Sequence, residues 1–185
     1  MKNIVIAACF ICILFSTGCR QEQPQSGSVQ LTKEPAVAGM VWSRPQRWEK
    51  AADRPMRAAT YNIPASQGDA EGGECALFYF GAGQGGDVNL NIERWGAQFE
   101  PAEQVLKTTK EVAGMKITRV QIDGAYLAPA GPMMQSQGKK ENYRLLGAIV
   151  EAPKGSVFFK FTGPANTISA ASSEFDAMIN SAAKE

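Results

Sequence analysis

From Gly39 onward, apolar and polar residues fall into short regular blocks, and each block predicts an element. Residues 56–63 read as a strand stopped by Pro64, and the polar, glycine-bearing residues 65–73 as a hairpin or loop. Cys75, Ala76, Leu77, Phe78, Tyr79 and Phe80 form an unbroken apolar run, which predicts a central strand. Beyond a glycine-rich loop, Val88, Ile92, Trp95 and Phe99 recur at helical spacing, with Asn91, Glu93 and Arg94 between them and Asp87 in the N-cap position. Pro101 marks the end of that helix. Residues 115–122 predict a third strand, whose apolar parity changes between Ile117 and Val120; a bulge or burial on both faces would produce that change. Residues 124–138, with two prolines and three glycines, predict a long loop. Residues 145–150 and 157–161 predict two further strands across the Pro153-Lys154-Gly155 turn, with Val157, Phe159 and Phe161 on one face. A closing helix, with Ser169 as N-cap, aligns Ala171, Phe175, Met178, Ile179 and Ala182. Two helices and five to six strands, joined mostly by loops, predict an α+β domain with a largely antiparallel sheet packed by helices.

The N-terminus follows different rules. Lys2 gives a positive start, residues 4–15 are a continuous apolar run, and Ser16, Thr17 and Gly18 are small. A bilayer span needs ~20 apolar residues, and polar Arg20 to Gln23 follow at once, so cleavage is the expectation. The segment resembles a bacterial lipoprotein signal, in which diacylglycerol is added to the cysteine that follows the cut; Gly18-Cys19 fits, and Ser16 departs from the aliphatic residue usual there. The alternative is an ordinary secretory signal with Cys19 incidental. Residues 1–18 are thus expected to be removed, with the lipid on Cys19 holding the chain to a membrane. Arg20 in place of an aspartate favours the outer over the inner membrane, by resemblance to enteric sorting signals. Residues 19–38, rich in Gln, Ser and Pro, predict a flexible tether of about 25 Å root-mean-square span, and residues 39–185 a single domain.

Removing residues 1–18 from the 185 takes away one lysine and no acid, leaving 18 basic and 18 acidic residues and no net charge. Such a balance lacks the basic stripe that nucleic acid requires. Of the four cysteines, Cys9 and Cys12 leave with the signal and Cys19 takes the lipid. Cys75 is then the sole thiol of the mature chain, so an internal disulfide is excluded. The whole chain lacks histidine, which excludes Ser-His-Asp triads, Cys-His pairs and histidine-bearing metal sites. Asp69, Glu71 and Glu74 sit in a polar loop and read as solvated.

Two features invite a functional assignment. Gly81, Gly83 and Gly86 satisfy G-x-G-x-x-G between a strand and a helix, with Gly85 between them and Asp87 following. No acidic residue ends a second parallel strand about 20 residues on, since Glu103 lies in the wrong context. The glycines therefore read first as a tight connection, and second as an anion- or small-molecule-binding loop at a helix N-terminus. Asp87, Asn89 and Asn91 imitate a calcium loop only in part, so no metal or other cofactor is expected. Arg44, Arg54 and Arg57 cluster in sequence around Trp42 and Trp48. Exposed tryptophans would make that cluster a partner-binding patch, and buried ones would make it structural.

The order of elements carries a resemblance. A Pro45-x-x-Trp48 entry leads to a strand, then another strand and a helix, a turn-linked strand pair, and a C-terminal helix bearing Phe175 and Met178. Over residues 39–185 this order resembles the PsbP-like family of α/β/α sandwich domains, whose members mainly bind or help assemble other proteins. Together with the signal, the tether, the neutral balance and the missing catalytic constellation, this leads to the expectation of a non-enzymatic, lipid-anchored envelope protein that binds or assists another envelope protein. A small-molecule or anion-binding module at residues 81–86 is the alternative, followed by a hydrolase using carboxylates or Cys75.

Overall fold

The structure is a computed structural model and describes residues 28–101, 104–128 and 138–185. Its elements in chain order are β1 (Leu31–Lys33), β2 (Met40–Val41), β3 (Ser43–Pro45), β4 (Glu49–Lys50), β5 (Ala59–Ile63), β6 (Gly73–Tyr79), α1 (Val88–Gly96), β7 (Phe99–Glu100), β8 (Val105–Val112), β9 (Met115–Leu127), β10 (Lys139–Ala152), β11 (Gly155–Pro164), α2 (Ala165–Ala170), α3 (Ser172–Asn180) and β12 (Ala183–Lys184). Among the described residues no helix is long and apolar enough to cross a membrane.

Eight strands form one antiparallel sheet in the order β4-β5-β6-β11-β10-β9, with β7 and β8 both paired to β9. The expectation of five to six strands is corrected to eight. Two of the additional strands, β4 and β7, are two residues long, and β8 (Val-Leu-Lys-Thr-Thr-Lys-Glu-Val) is nearly all exposed, so neither kind carries a buried stripe to betray it. Two small two-stranded sheets, β1 with β3 and β2 with β12, flank the main one. The first of these changes the domain boundary: Leu31–Lys33, expected in the tether, pairs with Ser43–Pro45, and Ala38 is buried. Residues 19–27 of the expected tether, Cys19 among them, lie outside the described residues, as does Glu103.

The sheet is buried on both faces, which explains the parity change in β9. Met115 and Ile117 join the larger core with Leu77, Phe159, Phe161, Phe175 and Met178, beneath α2 and α3. Val120 and Ile122 join the smaller core with Trp95, Phe99, Leu145 and Phe158, beneath α1. Pairing of β9 with β10 runs unshifted from Ile117 through Ile122, so no bulge is needed there. The sheet thus has a first face under α2 and α3 and a second face under α1 alone.

The elements otherwise start and stop for recognisable reasons. Asp87 caps α1, its Oδ1 accepting from the amides of Asn89 (2.7 Å) and Leu90 (3.3 Å). The C-terminal helix is broken in two at Ala171, and Ser169 lies inside α2 instead of capping it, its hydroxyl donating to Ala165 O at 2.6 Å. The expected stripe of Ala171, Phe175, Met178, Ile179 and Ala182 is buried throughout. Strands β9 and β10 run further than expected, to Leu127 and from Lys139, which shortens the predicted loop from both sides. The 56–63 strand begins only at Ala59, since Met56 is exposed at φ 65° in the preceding turn.

Candidate functional site

The second face is covered unevenly. Helix α1 lies over β9 to β11, where Gly147 in β10 lets the Trp95 ring settle on the strand; a Cβ at Gly147 would sit 2.9 Å from Trp95 Cε3 and nearer still to Cζ3. Toward β4, β5 and β6 the same face is open. There a cleft of about 610 Å³ is lined by Glu49, Asn62, Glu71, Glu74, Tyr126, Lys140, Tyr143 and Thr162, among others.

Backbone irregularity builds the working corner of this cleft. Lys140 pairs with Tyr126, but Tyr143 pairs with Gly124, so β10 holds one residue too many, and Asn142 takes φ 56°. Lys140 and Tyr143, three apart, would project to opposite faces of a regular strand. The extra residue brings both to the second face, where each donates to Glu71, Lys140 Nζ at 2.8 Å. Those donors, Lys140 first, hold the Glu71 carboxyl below its ordinary range, and Glu71 in turn holds the lysine above its own. Tyr126 stacks on Tyr143 with centroids 5.7 Å apart and planes 5° apart. Beside them, Glu74 accepts from Arg57 (2.7 Å) and Arg54 (2.9 Å). Thr162 Oγ1 is buried and makes no hydrogen bond.

Lys160 occupies the middle of the second face, between Ala76 and Gly147 in register, whose small side chains leave it room. Its ammonium donates to Gln98 Oε1 and to Tyr126 Oη (3.2 Å). Desolvation, then the neighbouring Arg57 guanidinium, brings its pKa down to about 8, against the pull of Glu74. The sequence pattern carries no signal for this residue, because Val157, Phe159 and Phe161 mark only the other face as buried.

The expected site residues are dispersed. Trp42 and Trp48 are buried, 2% and 0% exposed, so they cannot anchor a partner, and the surface patch they would have formed with Arg44, Arg54 and Arg57 is not present. Arg44 instead bonds Glu34 (2.7 Å) and Trp48 O (2.6 Å), which pins the entry segment, while Arg54 and Arg57 turn to Glu74. Gly81, Gly83, Gly85 and Gly86 all take positive φ, as a tight connection requires. Asp87 already uses the first free amides of α1, and Asn91 Nδ2 closes the loop on Gly85 O and Asp87 O, both at 2.8 Å. Asp87 and Asn91 are therefore spent on the helix start, and no group of three or more metal-ligating side chains occurs among the described residues. Cys75 is buried, and burial pushes its thiol well up, away from the thiolate that chemistry would need. Asp69, expected to be solvated, accepts from Thr167 N (2.8 Å) and Oγ1 (2.6 Å) at the start of α2.

No family model matches the sequence, and no curated protein does. Among solved structures, the chain is similar to cyanobacterial PsbP from Synechocystis sp. PCC 6803, known in solution, with TM-score 0.54 and 9% identity over 91% of this chain and 100% of that one. The fold is PsbP-like.

Proposed function

We propose that this chain is a lipid-anchored, non-enzymatic domain of the cell envelope that binds or assists another envelope protein through the open part of its second sheet face. The observation that carries this reading is the asymmetry of cover. The first face is sealed by α2 and α3 over the larger core, whereas α1 leaves the 610 Å³ cleft uncovered. Among the charged groups lining that cleft, Glu71 is paired with Lys140 and Glu74 with Arg54 and Arg57, an arrangement that suits recognition more than proton transfer. The absence of histidine from the chain and the deep burial of Cys75 support the same side. Anchoring rests on the signal-like residues 1–18 and on Cys19, with the outer membrane favoured by Arg20.

Recovery of the full chain from crosslinked envelopes, beside a Cys19→Ser control, tests both parts. A peptide beginning at diacylated Cys19 in the membrane fraction, together with one envelope protein enriched over the control, is the expected result. Unmodified Cys19 in the soluble fraction would overturn the anchor. No partner above the control would overturn the binding role.

A further inference from the structure

Where α1 meets β6 and β11, the second face holds a separate notch of about 180 Å³, on the order of six water volumes. Its walls are the rings of Phe78, Phe80, Trp95 and Phe158, and its polar lining is Gln98, Lys160 and Asn91, whose Nδ2 is already given to Gly85 O and Asp87 O. Phe78 and Phe80 stack 6.1 Å apart, and Phe80 meets Phe158 at 5.9 Å. Gly85 packs against two of these rings so tightly that a Cβ there would stand 2.7 Å from Phe158 Cε2 and 3.1 Å from Phe80 Cδ2. Phe80 is 42% exposed at the rim, so the notch opens to solvent.

Its charge is unbalanced. Among the described residues Arg54, Arg57 and Lys160 share a single carboxylate, Glu74, which Arg54 and Arg57 already hold. Lys160 bonds only neutral partners among the described residues, Gln98 and Tyr126. With its Oε1 taken by Lys160, Gln98 presents its Nε2 as a second donor. An apolar slot sized for one ring, with an ammonium and an amide at its end, is complementary to a flat anion.

We propose that this notch binds a small aromatic carboxylate, its ring among Phe78, Phe80, Trp95 and Phe158 and its carboxylate on Lys160 Nζ and Gln98 Nε2. The inference stands apart from the protein-binding cleft, and either can fail without the other. The glycine loop takes part only through Gly85, which packs against two of the notch's rings, Phe158 and Phe80, and the ligand's charge is met by Lys160 instead of by loop amides.

The ligand supplies the counterion that half-buried Lys160 lacks, so binding and protonation are coupled. The groups facing Lys160 are the Arg57 guanidinium, the Glu74 carboxylate and the Tyr126 phenol; burial pushes that phenol up to about 12, and Tyr143 stacked on it is also raised. Lys160, at about 8, is therefore the member whose charge changes just above neutrality.

Phenylacetate titrated into the isotope-labelled full chain tests this by NMR. At about pH 7 saturable binding is expected, with shifts at Gly85, the Trp95 indole and Gln98, and benzyl alcohol should bind at least roughly tenfold more weakly. Affinity should fall about tenfold per pH unit above about 8. Lys160→Met should lose roughly tenfold or more. Should that variant fail to fold, the two probes and the pH series on the wild type decide the matter. No saturation by phenylacetate at about 10 mM, equal binding of the alcohol, or an affinity indifferent to pH would each overturn the proposal.

Discussion

Trp48→Ala is expected to remove about 4 kcal/mol of stability, a large share of what a single domain has. Trp48 is fully buried, its ring 5.0 Å from Phe161, which in turn packs 5.6 Å from Phe175, so the indole joins the entry segment, the sheet and α3 in one contact chain. Its Nε1 donates to Glu174 Oε2 at 2.9 Å, and truncation leaves that carboxylate to Arg47 alone. Both the cavity and the lost hydrogen bond act in the same direction. Urea unfolding should show a lowered midpoint with an unchanged slope, and Trp48→Phe should recover about half of the loss because the ring contact survives without the donor. A loss under about 1 kcal/mol for the alanine variant would show that the entry segment is not part of the core.

Gly147→Leu is expected to act on the opposite face and in a different way. Any Cβ at Gly147 collides with the Trp95 ring and comes 3.0 Å from Val120 Cγ2, so the ring must leave the sheet. Overpacking and the lost burial of Trp95 together should cost about 3 kcal/mol. Because α1 alone covers this face, the damage should be local: amide protection falls in Val88–Gly96 and persists in β11 and β6. Uniform loss of protection throughout the sheet would mean that the two cores do not open independently.

The two cores also mark how far the sequence could be read. Elements with a buried stripe were legible, as α1 was from Val88, Ile92 and Trp95 behind Asp87, and the end of the chain was from Phe175, Met178 and Ile179. Strand β8 was not, because Lys107, Thr108, Thr109 and Lys110 are all exposed and the strand is defined by its ladder on β9. Nor was β1, whose polar residues are held by pairing with β3. The antiparallel α+β class and the PsbP-like order survived these gaps because they depend on the long inner strands.

The site was harder to see for a physical reason. Glu71 meets Lys140 and Tyr143 across 69 and 72 positions, and only a one-residue bulge puts the latter two on one face. Lys160 left no signal because alternation assigns one face to the core, whereas this sheet buries both. For the aromatic and basic cluster around Trp42 and Trp48, the structural one of its two readings holds, since both rings lie in the core.

The central claim is that the open part of the second face meets a partner in the envelope. Replacing Asn62 or Glu49, both exposed and lining the cleft, with a photo-crosslinking amino acid tests it most directly, with Ser173 on α3 as the control on the other face. After irradiation in intact cells, Asn62 and Glu49 should yield the same covalent adduct with one envelope protein, and Ser173 should yield none. Adducts from Ser173 alone, or none from either cleft position, would contradict it.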